Sequence, residues 1–216
     1  MNVIAYVFVE GIGDLRFFCD YLLHLDLADA VKERKDKRIH LVNSNNQVIV
    51  LQSVEGKDNI LSFAPDMLRN NNENILNLII LDADRNFEER KTQIENDLNS
   101  KNILYHLFLS PNNRDPGALE DILENIINRQ NQVIFDCWER YEEELTDKEI
   151  EWKTPKKPTS PAKKTKIYGY LEALHGETKA EKEKIKEAKR NYRDTNLWNL
   201  NADYLNPLKE WLASKL

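Results

Sequence analysis

The chain has 216 residues, of which 41% are hydrophobic and 31% charged, and its formal net charge is -6. This balance excludes a disordered chain and is typical of one α/β domain, alone or with an extension. No apolar run approaches the roughly 20 residues of a membrane span. The first apolar run also lacks the preceding basic region that a signal peptide has. We therefore expect a cytoplasmic protein that does not bind a membrane.

The charge is unevenly distributed along the chain. The segment Lys153–Arg193 contains 13 Lys and Arg against 5 Asp and Glu, so the remainder is strongly acidic. Its first part, Lys153–Lys166, has six lysines, three prolines and no acid, which predicts an exposed, mobile loop. Such a loop is either a solvated linker or a basic arm that steers a polyanion such as nucleic acid.

Two apolar runs that end in acids organise the rest of the chain. Asn2–Val9 precedes Glu10, and Ile75–Leu81 precedes Asp82 and Asp84. Both runs are dominated by residues that favour strands buried on both faces, as in a parallel sheet.

The remaining pattern predicts alternating strands and helices. Further strands are expected at Arg38–Val42, Gln47–Gln52 and Asn102–Leu109. Helices are expected at Leu15–Leu25, Asn59–Asn71 (kinked or split by Pro65), Phe87–Ser100, Ala118–Asn128, Gln132–Leu145, Gly176–Tyr192 (with few core contacts) and within Tyr204–Leu216. Ile167–Leu174 is read as a short helix or an extended segment. Asp115 with Pro116 is read as the N-cap and first residue of a helix, and Asp14 as an N-cap or a metal-site residue.

Strand–helix alternation with short connections predicts an α/β fold with a mostly parallel sheet flanked by helices. Ligands of such sheets bind beyond the carboxyl ends of the strands, where Glu10, Asp82 and Asp84 should meet. Carboxylates with open water positions suit Mg²⁺ or Mn²⁺. Glu120, or Asp121 with Glu124, either completes this site or forms an ordinary solvated helix face.

The pair of motifs, EGxxD after one strand and DxD after a later one, resembles the Toprim superfamily. That superfamily is the metal-binding domain of topoisomerases, primases, recombination proteins and OLD-type nucleases. Its first-strand glutamate is matched by Glu10 and its DxD by Asp82 and Asp84. The resemblance implies a compact Rossmann-like Toprim domain over residues 1–128. Residues 129–216 would be a helical C-terminal extension packed on that domain, with the basic loop at 153–166.

Three further stretches, FLSPNNRDPGALEDIL, KTKIYGYL and LWNLNADYLNPLKEWL, resemble a small uncharacterised bacterial family of Toprim-like proteins related to OLD-type nucleases. The resemblance implies a third signature made of Pro111, Asn112, Asn113, Gly117, Leu119 and Glu120. OLD-type nucleases also carry an acidic motif after the strand that follows DxD, and Asp121 and Glu124 compete with Glu120 for that role. The resemblance implies a metal site but not a substrate.

The first functional hypothesis is a Mg²⁺-dependent phosphodiesterase, a nuclease that acts on DNA or RNA in repair or phage defence. Its catalytic residues would be Glu10, Asp82, Asp84 and Glu120. Its metal ligands would be Glu10, Asp82, Asp84, Asp121 and Glu124. Its contacts to phosphate or nucleic acid would be Gly11, Asp14, Arg85, Asn112, Asn113, Arg114, Lys156, Lys157, Lys163 and Lys164.

The alternative hypothesis is a non-catalytic Toprim-like module that binds a metal or a nucleotide as a regulatory or partner protein. The acidic remainder of the surface favours it, because non-specific nucleic-acid binding usually needs more positive charge. A protein partner or a homodimer is compatible with either hypothesis. An aspartyl-phosphate phosphatase built on Asp82 is disfavoured, since its DxD would follow the first strand, where Glu10 stands.

Overall fold

A computed structural model describes residues 2–216 and contains a six-stranded, mostly parallel sheet with helices on both faces. The strands are β1 (Asn2–Val9), β2 (Ala30–Lys35), β3 (Arg38–Val42), β4 (Gln47–Ser53), β5 (Leu76–Asp82) and β6 (His106–Ser110). They lie in the order β2-β3-β4-β1-β5-β6. Strand β1 pairs in parallel with β4 and β5, and β5 pairs in parallel with β6. Strand β3 is antiparallel to both β2 and β4.

Eight α-helices are present in residues 2–216. They are α1 (Ile12–His24), α2 (Ala64–Asn72), α3 (Phe87–Asn99), α4 (Leu119–Asn125), α5 (Gln132–Thr146), α6 (Lys163–His175), α7 (Lys179–Ile185) and α8 (Asn206–Ala213). A 3-10 turn, Ile60–Phe63, precedes α2, and Pro65 lies in the first turn of α2. The expected split at Pro65 is therefore confirmed, because proline is accepted only where no helical N–H is needed.

The central strands are buried on both faces, as their apolar sequences predicted. Val7 and Val9 of β1 pack on the side of α1, whereas Phe8 packs on the side of α2 and α3. Strand β5 alternates in the same way, with Ile80 on the first side and Ile79 on the second. Strands β1 and β5 are thus covered on both faces, and their parallel pairing aligns their carboxyl ends.

The C-terminal extension shares the core of α1 rather than forming a separate one. Trp198 and Leu208 are buried in the same apolar cluster as Phe17 and Tyr21. The Tyr170 hydroxyl donates to the carbonyl of Leu197 at 2.6 Å, which ties α6 to the segment before α8. The extension thus packs directly on the sheet-covering helix that begins at the site.

Several predicted boundaries were wrong. Strand β2 was missed, because its exposed sequence AVKERK carries little apolar pattern. The strand expected from Asn102 begins only at His106. Asp14 is not the N-cap of α1, which is Gly11. Asp115 does not cap a helix either, because α4 begins at Leu119, with Ala118 as its N-cap.

The charged helix expected at Gly176–Tyr192 was also wrong in length and in burial. Only Lys179–Ile185 is α-helical, and Lys186 adopts an extended conformation. The chain then turns to bury Arg190 and Tyr192 against α1. The basic loop likewise ends early, because Lys163 already begins α6.

Two further observations concern the whole described chain. Cys19 is buried, Cys137 is exposed, and both are free thiols. No helix within residues 2–216 is long and apolar enough to cross a membrane.

Candidate active site

A cleft of about 350 Å³ lies beyond the carboxyl ends of β1, β4 and β5. Its acidic lining residues come from β5, α1, α4, the turns after β1 and β4, and a 3-10 turn after α7. We call this the acid cleft; its carboxylates are those of Glu10, Asp14, Glu55, Asp82, Glu120 and Glu187. Its cationic residues are Lys164 and Arg190.

Glu10 and Asp82 are directly connected at the tips of neighbouring strands. Residues Val9 and Ile80 pair in the parallel ladder, so the acids just beyond them meet. The backbone N–H of Asp82 donates to Glu10 Oε2 at 3.3 Å. Asp82 Oδ1 in turn accepts the backbone N–H of Leu119, the first residue of α4, at 3.1 Å. The acids are therefore positioned by backbone groups of two other elements.

Asp14 joins them from the first turn of α1. Its Oδ2 accepts the backbone N–H of Gly11 at 3.0 Å, which satisfies one of the free donors of the helix start. A Cβ at Gly11 would lie 3.3 Å from this oxygen. Glycine at this position thus permits the close approach of Asp14 to the strand–helix turn.

The acid cleft disfavours simultaneous ionisation of its carboxylates. Burial, followed by the charges of Asp14, Glu10 and Glu120, raises the pKa of Asp82 to about 10. Burial and the neighbouring Glu10 charge raise the pKa of Asp14 to about 7. Burial also raises the pKa of Glu10, against the hydrogen bond from Asp82. Burial and mutual repulsion are the causes of such shifts, and a bound cation would oppose both.

The three acids of α4 have different surroundings. Glu120 is half-buried and lines the acid cleft. Asp121 accepts the N–H of Ala118, the N-cap residue of α4, at 2.9 Å, and it pairs with Lys163. Its side chain therefore caps the N-terminus of α4. Glu124 lies 3.7 Å from Lys166, and burial raises its pKa. Of the three candidates, Glu120 is the one that the structure brings to the cleft.

Asp84, the second aspartate of the DxD motif, faces a different cleft. Its φ is 55°, and its backbone exchanges hydrogen bonds of 2.9 and 2.8 Å with Gly117. Its Oδ2 lies 3.2 Å from Lys57 Nζ. With Lys57 and Arg85 it lines a neighbouring cleft of about 500 Å³. Its charge still raises the pKa of Asp82, so the two clefts interact electrostatically.

The loop between β6 and α4 is held by its own polar side chains. Asn112 accepts the N–H groups of Arg114 and Asp115 at 3.2 and 2.9 Å, and Asn113 accepts that of Leu109 at 3.1 Å. Arg114 is exposed and pairs with Asp115 at 3.4 Å. None of these residues lines the acid cleft, so their expected phosphate contacts would need a ligand that extends beyond it.

Gly117 closes that loop. Its φ of +148° is unfavourable for other residues, and a Cβ would meet Asp121 Oδ2 at 2.8 Å. The glycine of the third signature therefore fixes the start of α4.

The lysines expected to contact nucleic acid are distributed over two regions. Lys164 lines the acid cleft and pairs with Glu187 at 2.6 Å. Lys156 and Lys157 are exposed on the basic loop, away from the cleft. They interact locally, the first with Glu151 at 2.7 Å and the second with a backbone carbonyl.

Sequence reasoning missed Arg190 and Glu187. Both lie in the segment interpreted as a solvated charged helix, where single charges carry no distinguishing pattern. The sequence offered no clear signal there, because Ile185, Ala188 and Tyr192 keep helical spacing although the α-helix ends at Ile185.

The donor chemistry of the acid cleft fits a hard divalent cation, since its ligands would be carboxylate oxygens. The side chains as they stand do not form a ready coordination set. Within residues 2–216, no group of three or more His, Cys, Asp or Glu side chains is arranged to hold a metal ion. One carboxylate oxygen of Asp82 and one of Glu10 already accept a backbone N–H. Coordination of a cation by these oxygens would require the side chains to reorient.

Comparison with known proteins identifies the family but no function. A family model described as "Protein of unknown function (DUF3226)" matches residues 4–215. The chain therefore belongs to that family over almost its full length. No curated protein and no solved structure matches it.

Proposed function

We propose that the chain is a Mg²⁺-dependent, Toprim-type phosphodiesterase that acts on nucleic acid. One observation carries the proposal. Glu10 and Asp82, at the tips of adjacent parallel strands, are joined by a 3.3 Å hydrogen bond and share a cleft with Asp14 and Glu120. The resemblance to the Toprim superfamily implies the same pairing of a first-strand glutamate with a later aspartate.

A Toprim-like topology is part of this proposal. Its support is the parallel group β4-β1-β5-β6, in which β1 and β5 are each followed by a helix, α1 and α3. The antiparallel β2–β3 hairpin lies outside that group.

Glu10 and Asp82 are the first choices to hold the cation, with Glu120 as the neighbouring acid in the same cleft. Asp84 would join them only after release from Lys57. A bound Mg²⁺ would polarise a phosphoryl oxygen and acidify an attacking water. Asp14, held in the same cleft by the backbone N–H of Gly11 at 3.0 Å, is the candidate to exchange a proton with that water.

A second candidate is the non-catalytic module that binds a metal or nucleotide. One observation favours it: Asp84, the second acid of the DxD motif, pairs with Lys57 at 3.2 Å and does not line the acid cleft. Such a protein would bind its ligand and regulate a partner without cleaving phosphodiesters.

The test is a cleavage assay on single- and double-stranded DNA and RNA, with Mg²⁺, Mn²⁺ or EDTA. The proteins are the wild type, Glu10→Gln, Asp82→Asn and the control Asp115→Asn, which removes an exposed acid outside the cleft. We expect metal-dependent cleavage that falls about 100-fold or more in the first two variants, as for losses of groups that stabilise the transition state. Ligand binding without cleavage would favour the second candidate. The absence of both binding and cleavage would refute both candidates.

A further inference from the structure

Arg190 is distinctive because one of its guanidinium nitrogens is buried without a partner, in a residue that lines the acid cleft. The residue is only 4% exposed. Its Nε donates to the carbonyl of Ile185 at 2.8 Å, but Nη2 has no hydrogen-bond partner among residues 2–216. Burying a charged group is unfavourable unless it is paired. The guanidinium is thus only partly satisfied by the chain, and Nη2 keeps a donor that an oxygen of a ligand in the cleft could accept.

Arg190 is held rigidly relative to the acids. Its carbonyl accepts a hydrogen bond from Arg16 Nε at 2.7 Å, and the N–H of Tyr192 donates to Asp20 at 2.9 Å. Both partners belong to α1, the helix whose first turn carries Asp14. The guanidinium also stacks over the ring of Tyr168, 4.6 Å from its centroid. Such tethering lowers the entropy lost when a ligand binds.

The acid cleft has two sources of charge. Its cations, Arg190 and Lys164, come from the C-terminal extension, together with the acid Glu187 that pairs with Lys164. Its other acids come from the sheet and the helices beside it. A ligand that satisfies both sides must offer an anionic group to arginine and oxygens to a carboxylate-bound cation. A phosphate does both, and the planar fork of arginine matches phosphate oxygens well.

We propose that Arg190 is the residue that contacts the substrate phosphate, binding it between the C-terminal extension and the acids at the ends of β1 and β5. This inference rests on the proposed function for its substrate, nucleic acid. The phosphate contact itself requires neither a metal nor cleavage, so it can be tested separately. It assigns to Arg190 the role that the sequence suggested for Arg85 and Arg114.

A second cavity, of about 260 Å³, also borders Arg190 and must be distinguished from the acid cleft. It is lined by Lys184, Lys189 and Asp194, among others, and shares no acid with the acid cleft. An anion bound there would depend on Lys184 and would be indifferent to Glu187. An anion in the acid cleft would show the reverse dependence.

The experiment measures inorganic phosphate binding by calorimetry, in EDTA and again with Mg²⁺. The proteins are the wild type, Arg190→Gln, Arg190→Lys, Glu187→Gln and the two controls Lys184→Gln and Arg114→Gln. Arg190→Gln should weaken binding about 10- to 100-fold, the usual effect of losing a hydrogen bond to a charged group. Arg190→Lys should show a smaller loss, because it keeps the charge but not the fork.

Glu187→Gln should strengthen phosphate binding about threefold or more, because it removes a repelling charge and frees Lys164. Thermal melting shows whether the Arg190 variants are folded. If they are not, Glu187→Gln, which changes a partly exposed side chain, still tests whether phosphate binds in the acid cleft. Both controls should bind phosphate as the wild type does.

The inference is overturned by absence of phosphate binding in both conditions, by unchanged binding in folded Arg190 variants, or by a loss in Lys184→Gln. No gain in Glu187→Gln would also contradict it. A separate Mg²⁺ titration without phosphate tests the proposed function on its own. Arg190-dependent phosphate binding without any Mg²⁺ binding would refute the metal proposal and leave this inference intact.

Discussion

The backbone N–H of Asp82 donates to Glu10 Oε2 across 3.3 Å, which links the ends of the adjacent parallel strands β1 and β5. The two carboxylates are therefore brought together by the sheet itself, and the backbone N–H of Leu119 also binds Asp82. A carboxylate pair fixed in this way is destabilising when both groups are charged. Its behaviour with pH and cations follows from that repulsion.

The free energy of unfolding without metal should fall as the pH rises above about 4. The pKa of Asp14 is raised from its ordinary 3.8 to about 7 in the folded protein. Between these values the native state binds more protons than the unfolded chain, so raising the pH favours unfolding. Asp82, with a pKa of about 10, extends the same trend to higher pH. Urea titrations in EDTA, from about pH 5 to about pH 9, measure this decrease in the free energy of unfolding.

Asp82→Asn should stabilise the metal-free protein at alkaline pH. Asparagine keeps the oxygen that accepts the Leu119 N–H but removes the repelling charge. A gain of about 1 kcal/mol would raise the Tm by about 2–4 °C in a domain of this size. The control Asp115→Asn removes an exposed carboxylate whose hydrogen bonds to Asn112 and Arg114 lower its pKa, so it should not stabilise. A lower Tm for Asp82→Asn at high pH would contradict the repulsion argument.

Asp84→Asn should weaken Mg²⁺ binding less than Asp82→Asn does. Asp84 pairs with Lys57 and lines the neighbouring cleft, whereas Asp82 lies in the acid cleft. The matched variant Lys57→Gln should not reduce Mg²⁺ affinity, since it removes a positive charge near the site. Calorimetric titration of the three variants provides the comparison. Equal losses for both aspartates would mean that the side chains rearrange into one ligand set.

Leu208→Ala should destabilise the whole protein, not the extension alone. Leu208 is fully buried in the cluster that contains Phe17 and Tyr21 of α1. Truncating a buried leucine costs roughly 2–5 kcal/mol. Denaturant unfolding followed by both far-ultraviolet circular dichroism and tryptophan fluorescence should give one coincident transition. The control Leu104→Ala, at a site 73% exposed, should change little, and two separate transitions in either protein would show an independently folding extension.

Lys156→Gln with Lys157→Gln should weaken nucleic-acid binding and also reduce its salt dependence. Both lysines are exposed on the basic loop and lie away from the acid cleft. Each lost phosphate contact lowers the slope of log K against log salt by about one. The pair Lys32→Gln with Lys101→Gln, both exposed, serves as a control of equal charge. Equal effects of the two pairs would indicate general electrostatics rather than a basic arm.

The strands that carry the site were predictable because their burial dictates their composition. Asn2–Val9 and the run before Asp82 are apolar on both faces, so their period and their acidic ends were visible in the sequence. Strand β2 was not, because an exposed hairpin strand needs no apolar pattern. Asp14 was identified, but its position at the third residue of the helix depends on a Gly11 conformation that sequence alone does not specify.

The place of Arg190 depends on contacts between residues far apart in the chain. Its tether to Arg16 spans 174 positions, and it sits among lysines that remain exposed. Composition predicted that this segment is basic but not which charge becomes buried. The same holds for Asp84, whose partner Lys57 lies 27 positions away in the chain.

The central claim is tested most directly by titrating Mg²⁺ into wild type and Asp82→Asn at pH 8 (about one unit above the pKa of Asp14). The account predicts saturable binding to the wild type with release of protons, because a cation displaces those held by the raised carboxylates. It predicts that binding and proton release are lost together in the variant. Wild-type protein that binds no Mg²⁺, or a variant that binds it equally well, would contradict the account.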